Sequence, residues 1–194
     1  MIKETSDSDR RDADLIARIC NADEQAFELL YHSYYRRLFR FIARITRQPE
    51  VIEEVINDVM YVVWGKAASY DQRCRPSTWI FGIAYNKARQ TFRNFDSGDE
   101  NSLEDLGADS DVFGRLDVGL TQMELDNWLD AAFDQLSPEQ RAVIELTYYH
   151  GMHYNEIAVL MSCPENTVKT RMHHARKKLA IILKTMDPDS KTTS

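Results

Sequence analysis

Between Tyr154 and Leu179 the chain reads YNEIAVLMSCPENTVKTRMHHARKKL, and its second half sets Lys169, Thr170, Arg171, His173, His174, Arg176 and Lys177 on one side of a helical pattern. Cations, hydroxyls and imidazoles on a single ridge offer mixed donors and acceptors, which is the chemistry that meets base edges in a DNA major groove. The opposite side repeats Val168, Met172, Ala175 and Leu179 at spacings of four, three and four, the period of a helix lying on a core. Ahead of it, Ile157, Leu160 and Met161 mark one side of a shorter helix. Ser162-Cys163-Pro164-Glu165 separates the two: Ser162 and Glu165 have capping-box spacing, and Pro164 suits a first helical turn. The plainer reading is an amphipathic core helix with a solvated basic face.

Other chemistry is poorly represented. His150 and His153 have a ligand-like gap and Cys163, His173 and His174 follow, but no spacing matches a zinc finger or a metalloprotease. There is no glycine-rich phosphate loop, no nucleophile elbow, and no carboxylate pair outside one acidic stretch. No catalytic residue, metal or cofactor is therefore expected, and the chain does not read as an enzyme. Cys20, Cys74 and Cys163 are odd in number and far apart, which suits a reducing cytosol better than a disulfide framework. Without a secretory signal or an apolar run near eighteen residues, neither export nor a membrane span is expected, and the expected location is cytoplasmic.

The net charge of −7 is unevenly spread. Residues 1–95 hold 15 basic and 13 acidic side chains, whereas residues 96–118 hold Arg115 against eight acidic ones. The segment Glu165 to Lys184 carries six Lys/Arg against Glu165 alone. Local clustering of positive charge matters more to a polyanion than the overall balance.

The elements that must position these residues read as helices throughout. Residues 1–12 are polar and suit a frayed start, and a short helix covers about Ala13 to Cys20. Phe27, Leu30, Tyr31, Tyr34, Leu38, Phe41, Ile42 and Ile45 predict a long helix from Glu24 to Thr46. Pro49 with Glu50, Glu53 and Glu54 opens the next, to about Lys66. Its valines allow a strand, but its length and acidic start favour a helix. After a loop from Tyr70 to Pro76, Ser77 is a plausible cap for a helix to about Asn94, with Trp79, Ile80, Ile83, Ala84, Ala88 and Phe92 as its buried stripe. Residues 96–120, rich in Asp, Ser, Gly and Asn, have a linker's composition. Beyond it, one helix is expected over Glu124 to Leu136. Ser137-Pro138-Glu139-Gln140 starts another that Gly151 ends.

LSPEQRAVIELTYYHGMHYNEIAVLMSCPENTVKTRMHHARKKL (136–179) resembles region 4 of the sigma-70 family of bacterial transcription initiation factors. FELLYHSYYRRLFRFIAR (27–44), VINDVMYVVW (55–64) and STWIFGIAYNKARQTFR (77–93) resemble its region 2. Order and length are similar to the small extracytoplasmic-function (ECF) group, which keeps only these two regions. The resemblance implies an all-α fold of two small helical domains: a flexible N-terminus at 1–12, region 2 at 13–95, an acidic flexible linker at 96–120, region 4 at 121–182, and a flexible tail at 183–194. It also implies a factor that binds core RNA polymerase and directs it to promoters, with an anti-sigma factor, often membrane-bound, as a further partner. Carried over by position, Lys169, Thr170, His173 and His174 would face bases of the −35 element, with Arg171, Arg176 and Lys177 near phosphates. Lys169 suits guanine O6/N7 and Thr170 a thymine methyl; the two histidines depart from the more usual aromatic or arginine.

In region 2 the same resemblance implies a pocket for an unpaired −10 base, with Tyr70 and Phe81 as walls and Asn86, Arg89 and Gln90 on the polar side. Gly82 stands where many relatives carry a basic residue, and a mid-helix glycine costs roughly 1 kcal/mol relative to alanine. Asn57, Asp58 and Tyr61 would meet the polymerase clamp. The linker's 24 residues from 96 to 119 reach at most roughly 80 Å, and like charges favour extension. Elements about 25 base pairs apart are separated by roughly 85 Å, so with the domains' own width the geometry closes. The competing readings are a helix-turn-helix regulator that works without polymerase, and a protein-interaction adaptor. Neither has use for both the aromatic pocket and the long acidic linker.

Overall fold

The computed structural model describes residues 7–46, 49–93, 132–133 and 135–186, and every regular element among them is a helix. Residues 1–6, the expected linker at 96–120, most of the expected helix over Glu124 to Leu136, the tail from 187 and the side chain of Phe92 lie outside this description. No helix of the described residues is long and apolar enough to cross a membrane.

Helix α1 spans Asp7–Ile19, with Asp7 and Asp9 in its first turn where the positive helix end favours them. It begins six residues before the expected Ala13, which corrects the frayed start for residues 7–12. Asp12 is the reason: it is buried, and its carboxylate accepts a 2.7 Å hydrogen bond from the Tyr34 hydroxyl. Burial, followed by the adjacent Asp12 charge, pushes the Tyr34 phenol far above its ordinary value. Helix α2 spans Glu24–Thr46. Asp23 caps it by accepting from the Ala26 N–H at 3.0 Å, and Ala26, Leu30, Tyr34, Leu38, Phe41, Ile42 and Ile45 form its buried stripe. Helix α3, Pro49–Lys66, is a helix despite its valines, because Ile52, Val55, Ile56, Val59, Met60 and Val63 share one helical face. Helix α4 spans Pro76–Arg93. The Trp79 N–H already bonds to the Arg75 carbonyl, so Ser77 is buried inside the first turn and is not the cap.

Helix α5, Pro138–Tyr148, starts with the expected capping box: the Ser137 hydroxyl accepts from the Gln140 N–H, and the Gln140 side chain accepts from the Ser137 N–H. Gly151, at φ +59, turns the chain beyond it. Helices α6, Tyr154–Met161, and α7, Glu165–Met186, form the helix-turn-helix, and α7 continues past the expected boundary at 182. The turn differs from expectation. Ser162 does not cap α7; it ends α6 in the left-handed conformation at φ +53, and the Cys163 N–H returns to the Ala158 carbonyl at 3.0 Å. The Pro164 carbonyl instead accepts from Thr167 and Val168 to start α7.

The two helical units do not stand apart. Helix α2 packs on α5 and α4 packs on α6, so residues 7–93 and 132–186 share one continuous apolar core.

Candidate nucleic-acid interface

On α7, Val168, Met172, Ala175 and Leu179 are buried as their spacing demands, which turns the polar ridge outward. Lys169, Thr170 and Lys177 are exposed, and His173 and His174 are half-buried with their rings edge to face at 5.8 Å. Two of the expected phosphate contacts are tethered within the unit. The Arg176 guanidinium donates to the Tyr148 hydroxyl at 2.8 Å, and Arg171 lies 3.7 Å from the Cys163 sulfur. These ties hold α7 against the end of α5 and the turn after α6, which fixes the ridge relative to its own core. Lys169 forms an i,i+4 pair with Glu165 at 2.9 Å, and the Thr170 hydroxyl donates to the Asn166 carbonyl. The threonine methyl is then the group free of polar partners.

The second set of expected residues is arranged as a strip, not a single pocket. Tyr70 donates to the Cys74 carbonyl at 2.7 Å and lies against Trp79 with ring centroids 5.3 Å apart. Burial raises its phenol to about 12. Asp71 accepts from the Arg73 N–H and pairs with its guanidinium, bracing the loop before α4. Asn86 follows Trp79 by two full helical turns on the same side, about 10 Å further along the axis, and Gln90 follows one turn later. Asn86, Arg89 and Gln90 are exposed. Phe81, expected as a wall, is 0 % exposed. Two residues from Trp79 on a helix is nearly the opposite face, and there Phe81 sits among Tyr34, Phe41 and His150. Trp79 is the aromatic that the sequence reading assigned to the core, yet it is only half-buried; its seven-residue phase with Asn86 was the signal available.

The third set lies on the outer face of α3. Asn57 and Asp58 are exposed and already partnered, Asn57 accepting from the Tyr31 hydroxyl at 3.3 Å and Asp58 paired with Lys87 at 2.9 Å. Tyr61 is 78 % exposed. Beside it, α2 presents a row of rings at four-residue spacing, Phe27, Tyr31, Tyr35 and Phe39, with Tyr31 and Tyr35 stacked at 5.8 Å. Tyr35 also bonds Glu53. Sequence periodicity placed Tyr31 in the core stripe, but it lies at the edge where α2 and α3 meet. Among the described residues no cluster of three His, Cys, Asp or Glu side chains is placed to hold a metal ion.

Residues 30–96 match the family model for sigma-70 region 2 and residues 126–179 that for sigma-70 region 4, which together span more than half of the chain. The ECF RNA polymerase sigma factor SigK of Mycobacterium sp. (strain KMS) is 28 % identical over 81 % of this chain and 83 % of its own length. SigL of Mycobacterium tuberculosis (strain ATCC 25618 / H37Rv) is 28 % identical over 84 % and 91 %. In fold, the chain is similar to CnrH, solved in complex with the cytosolic domain of CnrY, at a TM-score of 0.66 and 20 % identity over 91 % of this chain and 99 % of that one. It is also similar to RpoE of Bartonella quintana, solved with the anti-sigma factor NepR, at a TM-score of 0.56 and 24 % identity over 84 % and 97 %. With regions 2 and 4 matched in order over this helical framework, the chain belongs to the sigma-70 family, in its extracytoplasmic-function group, and is a promoter-directing transcription initiation factor.

Proposed function

We propose that the chain grips a promoter at two places. Lys169, Thr170, His173 and His174 read the −35 duplex, with Arg171, Arg176 and Lys177 near its phosphates. The strip from Tyr70 and Trp79 to Asn86, Arg89 and Gln90 receives the unpaired −10 strand, its rings stacking a base and its amides meeting pairing edges. Residues 13–95 act as region 2 and 121–182 as region 4, with 96–120 spanning the gap. Asn57, Asp58 and Tyr61 dock on the polymerase clamp, with the tyrosines of α2 extending that surface. No covalent step belongs to the chain; duplex opening draws on binding energy.

The observation that carries this reading is the co-existence of an outward basic ridge on a helix-turn-helix with a tilted Tyr70–Trp79 ring pair whose Trp79 is in phase with two exposed amides. By analogy with RpoE bound to NepR, an anti-sigma factor is the partner that holds the chain inactive. The test is a gel shift on promoter DNA with and without core polymerase. Polymerase-dependent, sequence-specific binding is expected. Tight specific binding by the free chain that polymerase does not change would sink the proposal in favour of a stand-alone regulator.

A further inference from the structure

We infer that Lys87 is a further contact for the −10 strand, a phosphate grip that Asp58 holds in reserve and that is set free when polymerase takes Asp58. The inference rests on the two-grip reading for the place of the strand and of the clamp, and adds to it one residue and one coupling.

Lys87 belongs to α4, the helix that carries the −10 strip. At about 100° per residue around that helix, Asn86 and Gln90 stand roughly 40° apart, Arg89 lies roughly 60° outside Asn86, and Lys87 roughly 60° outside Gln90. The two amides therefore form a row with a cation along each edge. A single strand whose bases meet the amides carries its phosphates to one side of that row, where a cation can follow them. Asn86, Arg89 and Gln90 are exposed. Lys87 is different: its side chain is only 29 % exposed, at the edge where α4 packs on α3, and its ammonium reaches across to the Asp58 carboxylate at 2.9 Å.

Asp58 thus has two claimants. It lies one turn before Tyr61 on the outer face of α3, the surface assigned to the clamp, and it also holds a cation of α4. Its side chain is 55 % exposed, and a pair so open to water is held weakly and exchanged easily. The charge sum then decides what Lys87 can do. Together with Asp58 it is neutral, so a phosphate brought beside the pair meets repulsion as well as attraction and releases no counterion. A basic group of the clamp on Asp58 changes that sum by one, and Lys87 becomes an unmatched cation beside the amide row. Linkage runs both ways: a phosphate on Lys87 leaves Asp58 to the clamp, so polymerase and strand strengthen each other's binding.

The experiment is fluorescence anisotropy of a labelled single-stranded oligonucleotide of mixed sequence. It is titrated over a fourfold range of salt with the full chain, alone and saturated with core polymerase. With polymerase, Lys87→Ala should remove one phosphate contact from the salt dependence, about 2.6-fold in affinity over that range, and it should change the free chain little. Lys87→Arg should keep the polymerase-bound value. In the free chain, Asp58→Asn should add the same contact without polymerase, and Lys87→Ala on top of it should remove that gain. A pair that only braced α3 on α4 would give no gain from Asp58→Asn. Circular dichroism should keep its helical signal in every variant. An unchanged salt dependence for Lys87→Ala with polymerase overturns the phosphate contact, and an equal loss with and without polymerase overturns the reserve. Asn86→Ala judges the underlying reading separately. If it leaves polymerase-bound affinity unchanged, the −10 strip itself is refuted; if it weakens binding while Lys87→Ala has no salt effect, Lys87 alone is refuted.

Discussion

The two helical units solve stability differently. In the N-terminal unit, long helices bury Tyr34, Phe41, Phe81, Leu30, Leu38, Ile42, Ile45 and Ile56 completely. The C-terminal unit buries Ile144, Leu146 and Ile157 among smaller groups such as Ala142, Val143 and Ala175, but Phe133, a ring of its interior, stays 4 % exposed. It compensates at its helix ends: Ser137 and Gln140 close a box at α5, and Glu156 accepts from the His153 N–H at α6. It also shares its apolar surface with its neighbour. Local caps hold the ends of short helices, whereas long helices draw more of their stability from a deep core.

The sharpest way to break this comparison is Phe41→Ala. It should cost about 3–5 kcal/mol, as for a buried aromatic, and hydrogen exchange should rise in both units, because Phe41 also supports His150. Faster exchange confined to residues 7–93 would show that the C-terminal unit does not depend on its neighbour. Lys169→Ala comes next, with an expected loss of about 1–3 kcal/mol in −35 binding and relaxed specificity at one position. It should leave thermal stability within about 0.5 kcal/mol, as for a surface change. If Lys169 touches phosphate and not base, the salt dependence falls instead, by about one ion. Ser137→Ala should cost about 1 kcal/mol, with faster exchange at the start of α5 and little change in α2. An equal response in α2 would mean that the caps also support the packing of α5 on α2.

The smallest effect is expected from pH, because two buried groups where α5 meets α2 oppose each other. Burial pushes the Glu145 carboxyl from an ordinary 4.5 up to about 7, against the pull of Arg40 and Arg44. Its contribution to stability is therefore lost as pH rises from about 4.5 to 7. Burial, with Arg37 and Arg40 nearby, pushes the His150 imidazole from 6.5 down to about 4. Its contribution to stability is complete above 6.5 and weakens as pH falls toward 4. Between these limits the two slopes offset, so the thermal stability of the packed chain should change little with pH. His150→Ala should uncover the Glu145 slope alone, with a melting temperature that falls on the alkaline side; a melting temperature independent of pH in that variant would mean that Glu145 does not titrate there.

Much of the helical framework was legible in the residues. The three-four spacing through Phe27–Ile45 marks α2, and Ser137-Pro138-Glu139-Gln140 marks the start of α5 to the residue. The outward ridge of α7 follows from Val168, Met172, Ala175 and Leu179 alone. Local rules failed where two local signals competed: Ser162 has the type and spacing of a cap for α7, yet the end of α6 claims it in a left-handed turn. They failed again at Asp12, whose buried partner Tyr34 is 22 residues away.

Sequence by itself determined the all-α class, the helix-turn-helix, the clustering of charge and the resemblance to the sigma-70 family, because these depend on residue type and short-range period. Only the tertiary structure decided that Phe81 is sealed under His150, that Trp79 and not Phe81 stands beside the exposed amides, and that the two units meet. Periodicity reports one apolar face per helix. The second face of α4 is covered through His150, Arg75 and Glu156, residues that read as solvent-facing until their partners arrive from as far as 81 positions along the chain.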